Sequence, residues 1–166
     1  MKQAMKPPGS HGAVRIRHAW EGSKNSAGDK PARTAIASMP GIERQGREQL
    51  LQTVGSDLEV GVRSVLLFGL AAEGAKDATG SHSAAEDSAV TEAVRTLKSE
   101  FGDELLVMTD VCLCAYTDHG HCGLLEDGKV VNDPSLAPLA AMAVAHADAG
   151  ANACRMRSGR TRYACR

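Results

Sequence analysis

Hydrophobic positions follow a regular order between residues 36 and 153, where continuous apolar runs alternate with helical spacing. The runs at residues 62–70 and 105–111 are rich in Val and Leu, which predicts strands buried on both faces of a parallel sheet. Apolar residues spaced as on one face of an α-helix cover residues 44–58, 83–101 and 133–149. Strands that alternate with helices predict βαβ units and therefore an α/β fold.

Residues that favour helix ends and turns support this interpretation. Residues 36–41 finish in a Pro-Gly turn ahead of the first helix. Ser83 and Glu86 have the spacing of a capping box, which predicts the start of the second helix, and Gly102 suits its C-terminal end. Asp133 before Pro134 predicts the start of the third helix. The predicted buried stripe of that helix consists of Leu136, Leu139, Ala140, Ala143, Val144 and Ala147.

The two ends of the chain lack such patterns. Residues 1–35 are rich in Gly, Ser, Pro, Lys and Arg and are predicted to be disordered. After residue 150 the alternation requires another buried strand, but residues 154–166 carry five arginines and are predicted not to form a core strand. We therefore divide the chain into a disordered basic segment (1–35), a folded segment (36–153) and a basic tail (154–166).

Net charge differs sharply among these three segments. The whole chain has a formal net charge of −1, but the value is +5 for residues 1–35, −11 for residues 36–153 and +5 for residues 154–166. Basic ends can contact phosphates without reading sequence. Because the first segment offers only Trp20 as a stacking ring, we expect no nucleic-acid function.

Length and hydropathy set the class of protein. A chain of 166 residues suits one domain, and no run approaches the roughly 18 apolar residues of a membrane span. The lysines near the N-terminus are not followed by the apolar stretch of a secretory signal peptide. We expect a cytoplasmic protein that does not span a membrane.

Three cysteines form a candidate metal site. Cys112, Cys114 and Cys122 lie within eleven positions, directly after the strand predicted at residues 105–111. Residues i and i+2 of an extended chain project to one side, and a loop with glycines can return the third cysteine to them. In a cytoplasmic α/β protein such a group favours a metal site over disulfides, and thiolates select zinc. Three protein ligands leave the fourth position open for water or substrate. On spacing alone, reduced core cysteines and a redox group remain alternatives.

The sequence around these cysteines resembles a known signature. Residues 110–123, DVCLCAYTDHGHCG, closely resemble the zinc site of the porphobilinogen synthase family, also called 5-aminolevulinate dehydratase. Shorter resemblances to that family lie at residues 38–41, 64–69, 76–77, 80–81 and 132–133. The similarity extends over about residues 36–153, the segment with the charge of −11.

The resemblance implies a fold and an activity. The fold would be part of a (β/α)8 TIM barrel, about its first three to four βα units, in a homo-oligomer that is usually an octamer. The activity would be the condensation of two molecules of 5-aminolevulinate to porphobilinogen with loss of water, in tetrapyrrole and haem biosynthesis. Carried over by position, Cys112, Cys114 and Cys122 would be the Zn²⁺ ligands, and Asp110 would lie on the substrate side of the pocket.

Neighbouring residues receive smaller roles. His119 and His121 are not expected to bind the metal but to contact its ligands or to pack within the loop. Tyr116 is expected to pack beside the loop. Cys154 and Cys165 lie outside the signature and are expected to be reduced thiols.

The chain departs from the family at its catalytic lysines. The family forms Schiff bases through two lysines on later barrel strands, and Lys76, Lys98 and Lys129 do not match those positions. No catalytic residue is therefore assigned, and we expect this chain to be inactive. We hypothesise that it is incomplete at both ends, with basic segments translated out of frame. A non-catalytic zinc-binding fragment, or a partner of an intact paralogue, is the alternative.

Overall fold

The computed structural model describes residues 14–21, 33–71 and 74–156. The strands are β1 Val14–Glu21, β2 Arg33–Ala35, β3 Glu43–Gln45, β4 Ser64–Leu70, β5 Leu106–Val111, β6 Leu125–Glu126, β7 Lys129–Val130 and β8 Ala153–Met156. The helices are α1 Arg47–Glu59, α2 Ala89–Phe101 and α3 Asn132–Asp148. The predictions for residues 157–166, including the thiol of Cys165, lie outside the described residues.

Within the described residues, six strands form one sheet in the order β2-β3-β1-β4-β5-β8, and β6 pairs with β7 in a separate hairpin. β1, β4, β5 and β8 are successive neighbours that run parallel. One helix lies in each connection between them, which is the alternation expected of βαβ units. The predicted α/β fold is therefore confirmed.

The larger core lies between the helices and one face of the sheet, and we call it the apolar layer. Its members are fully buried and come from two helices and two strands: Leu50 and Val54 of α1, Val65 and Leu67 of β4, Val90, Val94 and Leu97 of α2, and Val107 of β5. Alternate residues of β4 enter this layer, as the period of two in a strand requires.

Gly69 lets α2 approach the carboxyl end of β4. A Cβ atom at this position would lie 2.4 Å from Cγ2 of Val90 and 2.8 Å from the hydroxyl of Tyr116. Both distances are shorter than van der Waals contact, so glycine is required by the close approach. The start of α2 therefore packs against the carboxyl end of β4, next to Tyr116.

Two predicted helix starts are corrected by the structure. α1 begins at Arg47 rather than residue 44, because residues 43–45 belong to β3. The predicted cap of α2 at Ser83 is wrong, since Ser83 is buried in a 3₁₀ segment. The actual cap is Ser88, whose hydroxyl accepts a hydrogen bond from the backbone N–H of Thr91. The C-terminal end predicted at Gly102 is confirmed, and its φ is 52°.

The start of α3 also differs from the prediction. Val131 is the N-cap, so that Asp133 and Pro134 both lie in the first turn. Proline is tolerated there because the first N–H groups of a helix have no partner within it.

The predicted buried stripe of α3 is largely wrong. The buried residues of this helix are Ser135, Leu139, Met142 and His146, so only Leu139 was predicted correctly. Leu136 and Val144 are 47% and 58% exposed. α3 carries apolar residues on nearly every side, so its hydropathy indicates a helix without indicating which face is buried.

The disorder predicted for residues 1–35 is wrong for β1 and β2, and its remainder, residues 1–13 and 22–32, lies outside the described residues. The sequence of β1, VRIRHAWE, alternates apolar and polar residues over its first half, which is a strand pattern. Charged residues that alternate with apolar ones are compatible with a strand. The prediction of disorder used the composition and net charge of the whole segment and therefore overlooked this alternation.

The prediction that residues from 154 onward form no core strand is wrong for β8. Asn152 begins the pairing, because its backbone N–H donates to Val107 O and its Oδ1 accepts from Val107 N, both at 2.8 Å. β8 then runs parallel to β5, with Cys154 buried and Arg155 exposed. The backbone hydrogen bonds of a sheet do not depend on side-chain polarity. Because β8 is the last strand in the sheet order, the charged side chain of Arg155 can remain exposed to solvent.

Among the described residues, no helix has the length and apolar character required to cross a membrane.

Candidate metal centre

The three cysteines of the predicted metal site lie together at the end of β5. Cys112 follows the strand directly, and Cys114 lies in the 3₁₀ segment Leu113–Ala115. Their Sγ atoms are 3.3 Å apart. The chain returns through Gly120, which has a φ of 73°, and the three Sγ atoms, including that of Cys122, all lie within 4.8 Å of one another. We call residues 112–124 the cysteine loop.

The distances between these sulfur atoms fit a metal held by thiolates. Zn–S bonds of about 2.3 Å in tetrahedral geometry place two sulfur atoms about 3.8 Å apart. The observed 3.3 Å and the 4.8 Å upper bound lie on either side of that value. Cys112 is buried, Cys114 is half-buried and Cys122 is exposed, so the group opens to solvent on one side. The arrangement can therefore hold a metal ion and leave one coordination position open.

Burial affects the protonation of the innermost thiol. Desolvation raises the pKa of Cys112 well above its ordinary value, and the neighbouring thiols of Cys122 and Cys114 raise it further. A bound divalent cation reverses this balance, because a coordinating thiol loses its proton. Metal binding at this group should therefore release protons and strengthen as pH rises.

The loop that follows β4 supports the cysteine loop through Asp77. The backbone N–H of Asp77 donates to Tyr116 O at 3.3 Å, and that of Asp118 donates to Asp77 O at 3.1 Å. The hydroxyl and amide of Ser81 and the amide of Thr79 donate to the Asp77 carboxylate and hold its pKa well below the usual range. Asp77 thus shapes its own loop with its side chain and supports the cysteine loop with its backbone.

The first turn of α3 supports the other end of the cysteine loop. The hydroxyl of Ser135 accepts a hydrogen bond from Leu124 N at 2.8 Å and donates to Val131 O. Gly123 packs so closely here that a Cβ atom would lie 2.6 Å from Ser135 Oγ. The residues that follow Cys122 are therefore fixed to α3.

His119, His121 and Tyr116 lie around the thiols. The His119 and His121 rings stack with centroids 5.5 Å apart, and the His121 backbone N–H donates to His119 Nδ1 at 3.1 Å. His119 Nε2 lies 3.2 Å from Ala78 O, which connects the ring to the loop after β4. Tyr116 is fully buried, and burial raises the pKa of its hydroxyl. His119 therefore contacts the loop after β4, and His121 stacks on His119 at the exposed side of the cysteine loop.

Asp110 lies on the face of β5 that points away from the helices. Val107 and Thr109 are buried against the helices, whereas Met108 and Asp110 alternate with them and are half-buried. Arg155 of β8 is the register partner of Asp110.

The lysines of the described residues lie on outer elements. Lys98 belongs to α2, and its Nζ donates to Gly102 O at 2.7 Å, at the end of its own helix. Lys76 and Lys129 are exposed, the first in the loop after β4 and the second in β7.

Sequence reasoning missed Thr117 and Ser135. Both are buried, and both form hydrogen bonds to the backbone of the cysteine loop. Thr117 lies inside the quoted signature, so its position was the available signal. For Ser135, the available signal was a serine in the first turn of the predicted third helix, where a hydroxyl can bind the backbone of the preceding loop.

Comparison with known proteins identifies the family. The family model described as delta-aminolevulinic acid dehydratase matches residues 27–159, which extends beyond residues 36–153 at both ends. The chain is 45% identical over 118 residues to the delta-aminolevulinic acid dehydratase of Streptomyces coelicolor, covering 70% of this chain and 36% of that protein. It is 47% identical over 116 residues to the enzyme of that name from Bos taurus, covering 69% and 35%.

A solved structure gives the same result. The Toxoplasma gondii ME49 delta-aminolevulinic acid dehydratase (porphobilinogen synthase), crystallised with the reaction product porphobilinogen, superposes with a TM-score of 0.78 at 29% identity. The match covers 89% of this chain and 41% of that one, which confirms the predicted partial TIM barrel. The chain spans about a third of the length of the curated relatives it matches. It belongs to the delta-aminolevulinic acid dehydratase family.

Proposed function

We propose that residues 33–156 carry the metal-binding part of a porphobilinogen synthase, which condenses two molecules of 5-aminolevulinate to porphobilinogen with loss of water. The observation that carries this proposal is the group of three thiols within 4.8 Å, in a chain that belongs to the family. The Toxoplasma relative binds porphobilinogen, which supports a small-molecule substrate of this class. The setting would be tetrapyrrole biosynthesis in the cytoplasm, in a homo-oligomer.

We assign zinc as the metal and Cys112, Cys114 and Cys122 as its ligands. Thiolate ligands favour zinc among the common divalent ions, and three of them leave one position for a substrate atom. Zinc with three thiolates has a net charge of −1 and would supply mild Lewis acidity that orients and polarises a carbonyl or hydroxyl.

Asp110 is proposed to contribute on the substrate side. Residues 110 and 112 both have extended backbone, so their side chains project to the same side of the chain. A carboxylate there can accept a hydrogen bond from a substrate ammonium or hydroxyl beside the thiols. The carboxyl ends of strands are also where barrel enzymes place their catalytic groups.

We propose that the lysines among the described residues do not supply the family's Schiff-base chemistry. A lysine that attacks a carbonyl must be desolvated to be a nucleophile at neutral pH. Lys76 and Lys129 are exposed, and Lys98 binds the end of its own helix. We propose that this chain by itself binds zinc without forming porphobilinogen, either as a fragment or as a partner of an intact copy.

Zinc stoichiometry tests the metal assignment. We expect one zinc per wild-type chain after dialysis against zinc and removal of loosely bound metal, measured by elemental analysis. Cys112→Ala should lose that zinc. Cys154→Ala is the matched control, because Cys112 and Cys154 are both 5% exposed and only the first belongs to the group. Equal zinc in both variants would contradict the assignment.

A product assay tests the activity. Purified chain incubated with 5-aminolevulinate and zinc should give no porphobilinogen above a protein-free blank. Product formation by the chain alone would disprove the proposed inactivity while supporting the family reaction. An increase in product only after mixing with a full-length family member would identify the chain as a partner.

A further inference from the structure

Cys122 depends on its loop for its position more than the other two thiols do. Cys112 continues directly from β5, and Cys114 lies two residues further on, so the strand fixes both. Cys122 follows eight residues after Cys114 and is exposed, along with His121 and Gly120 beside it. Whatever closes the loop therefore decides whether the third sulfur lies near the first two.

Thr117 is the buried residue at the centre of that closure. Its side chain is fully buried, and its Oγ1 lies 3.0 Å from His121 O and 3.3 Å from Leu113 O. Leu113 O already accepts the backbone N–H groups of Tyr116 and Thr117, at 2.8 and 2.9 Å. A hydroxyl has only one proton, and the Thr117 hydroxyl donates it to the closer acceptor, His121 O. Leu113 O keeps its two backbone donors without this side chain, whereas the bond to His121 O would be lost.

The carbonyl of His121 belongs to the peptide group that joins His121 to Cys122. A hydrogen bond to this carbonyl therefore fixes the backbone directly before the Cys122 thiol. Gly120 N also donates to Thr117 O at 3.4 Å, and a further contact, from His121 N to His119 Nδ1, is exposed to water. The bond from Thr117 Oγ1 to His121 O is partly buried and its donor side chain is fully buried. It therefore faces less competition from water than the exposed contact, so Thr117 has the greater effect on loop closure.

The Thr117 side chain is also held firmly. A Cβ atom on Gly80 would lie 3.4 Å from its methyl group, so the methyl packs against the loop after β4. The backbone of Thr117 forms a β-bridge with Asp77 in the same region. With its methyl and backbone fixed, the hydroxyl has a defined direction.

We propose that Thr117 is a positioning residue that places Cys122 beside Cys112 and Cys114 and thereby sets the affinity of the metal site. This inference rests on the proposed metal centre. It assigns to Thr117 no contact with the metal or substrate. Groups that orient metal ligands typically change metal affinity by 10- to 100-fold when they are removed.

The test uses Co²⁺ as a spectroscopic probe on the purified full chain. Wild-type protein should show thiolate-to-cobalt charge-transfer absorption of an intensity typical of three thiolates. Thr117→Val should bind Co²⁺ at least about tenfold more weakly, with lower charge-transfer intensity per bound ion because Cys122 has moved away. Thr117→Ser should restore both, since it keeps the hydroxyl.

Thr91→Val is the matched control. Thr91 is equally buried, and its hydroxyl is hydrogen-bonded to Ser88 Oγ and Ala85 O at the start of α2. This variant should keep wild-type affinity and absorption, so a general effect of deleting a buried hydroxyl is excluded.

Each result supports or overturns the inference. Unchanged affinity and intensity in Thr117→Val would overturn it while leaving the metal centre intact. Absence of the charge-transfer band in the wild-type protein would contradict the metal centre itself, and the inference with it. If Thr117→Val does not fold, Thr117→Ala and Thr117→Ser differ by a single oxygen and replace it. Loss of helical circular dichroism in both Val and Ala variants, with Ser folded, would mean that the hydroxyl supports the whole fold, and would also overturn the inference.

Discussion

The apolar layer and the cysteine loop adjoin the same strand, β5, but different forces hold the layer and the part of the loop around Cys122. The layer consists of side chains that are fully excluded from water, such as Leu67, Leu97 and Val107. The cysteine loop also buries Leu113 and Tyr116 in a second core cluster, but the part that carries Cys122 is exposed to solvent. That part is held by hydrogen bonds of Thr117 and of the elements on either side. The layer therefore supplies free energy of folding, whereas the exposed part of the loop that carries Cys122 supplies geometry.

The magnitudes differ accordingly. Burial of one large aliphatic side chain contributes about 1.5–3 kcal/mol, whereas a typical hydrogen bond contributes a net of about 0.5–1.5 kcal/mol. Residues 118–122 bury no large apolar side chain, so we expect the position of Cys122 to change without unfolding the protein. Changes in the layer should lower global stability, and changes in the loop should lower metal affinity.

The largest expected effect is that of Leu97→Ala in the apolar layer. Leu97 is fully buried in α2, so truncation should lower the free energy of unfolding by about 2–5 kcal/mol. Urea denaturation followed by circular dichroism measures this loss. Leu136→Ala is the control, since that leucine of α3 is 47% exposed and should lose far less. Equal losses in the two variants would contradict the assignment of the core.

The next effect is a pH dependence from His146, which lies between α3 and β5. Its Nδ1 is 3.0 Å from Thr109 Oγ1, its side chain is fully buried, and burial lowers its pKa from 6.5 to about 4. The unfolded chain therefore binds a proton more readily than the folded one. The resulting stability is complete above pH 6.5 and is lost as pH falls from 6.5 to 4.

The size of this loss should be on the order of 3 kcal/mol by linkage. The measurement is the urea midpoint of wild type and His146→Gln between pH 4 and 7. The variant cannot take up this proton, so its curve should be flatter over that range. Parallel curves would show that His146 does not titrate as described. Asp77 does not interfere with this measurement, because its lowered pKa changes the stability only at more acidic pH.

The contrast between α2 and α3 shows what hydropathy predicts about a fold. α2 has polar residues on one side, and its buried members Val90, Val94 and Leu97 agree with the predicted spacing. α3 is apolar on most sides, so a rotation about its axis leaves the pattern almost unchanged. The structure buries Ser135 and His146 because each has a hydrogen-bond partner on the inner side, which the sequence alone does not show.

β8 and β1 were mispredicted because composition was given more weight than alternation. Five arginines after residue 153 argued against a core strand. In β8, however, only Arg155 is charged, and it lies on the opposite face from the buried Cys154. The same reasoning applies to β1, where arginines alternate with apolar residues over the first half of the strand.

The three thiols were easier to find than the residues that position them. A cysteine signals its chemistry by residue type, so close spacing was enough to group Cys112, Cys114 and Cys122. A threonine or serine hydroxyl has many possible partners, and those of Thr117 and Ser135 are backbone groups. Their distances become known only when the loop, the strand and α3 are placed together.

The smallest effects compare two buried serines, one beside each region. Ser88→Ala removes the N-cap of α2 and should lower the free energy of unfolding by about 1 kcal/mol, with metal affinity unchanged. Ser135→Ala removes the acceptor of the Leu124 amide, two residues after Cys122, and should weaken Co²⁺ binding by about tenfold. Urea denaturation and Co²⁺ titration of both variants separate the two effects. A Ser88 variant that loses metal affinity as strongly as the Ser135 variant would show that the apolar layer and the cysteine loop are coupled, and the division between stability and geometry would then be wrong.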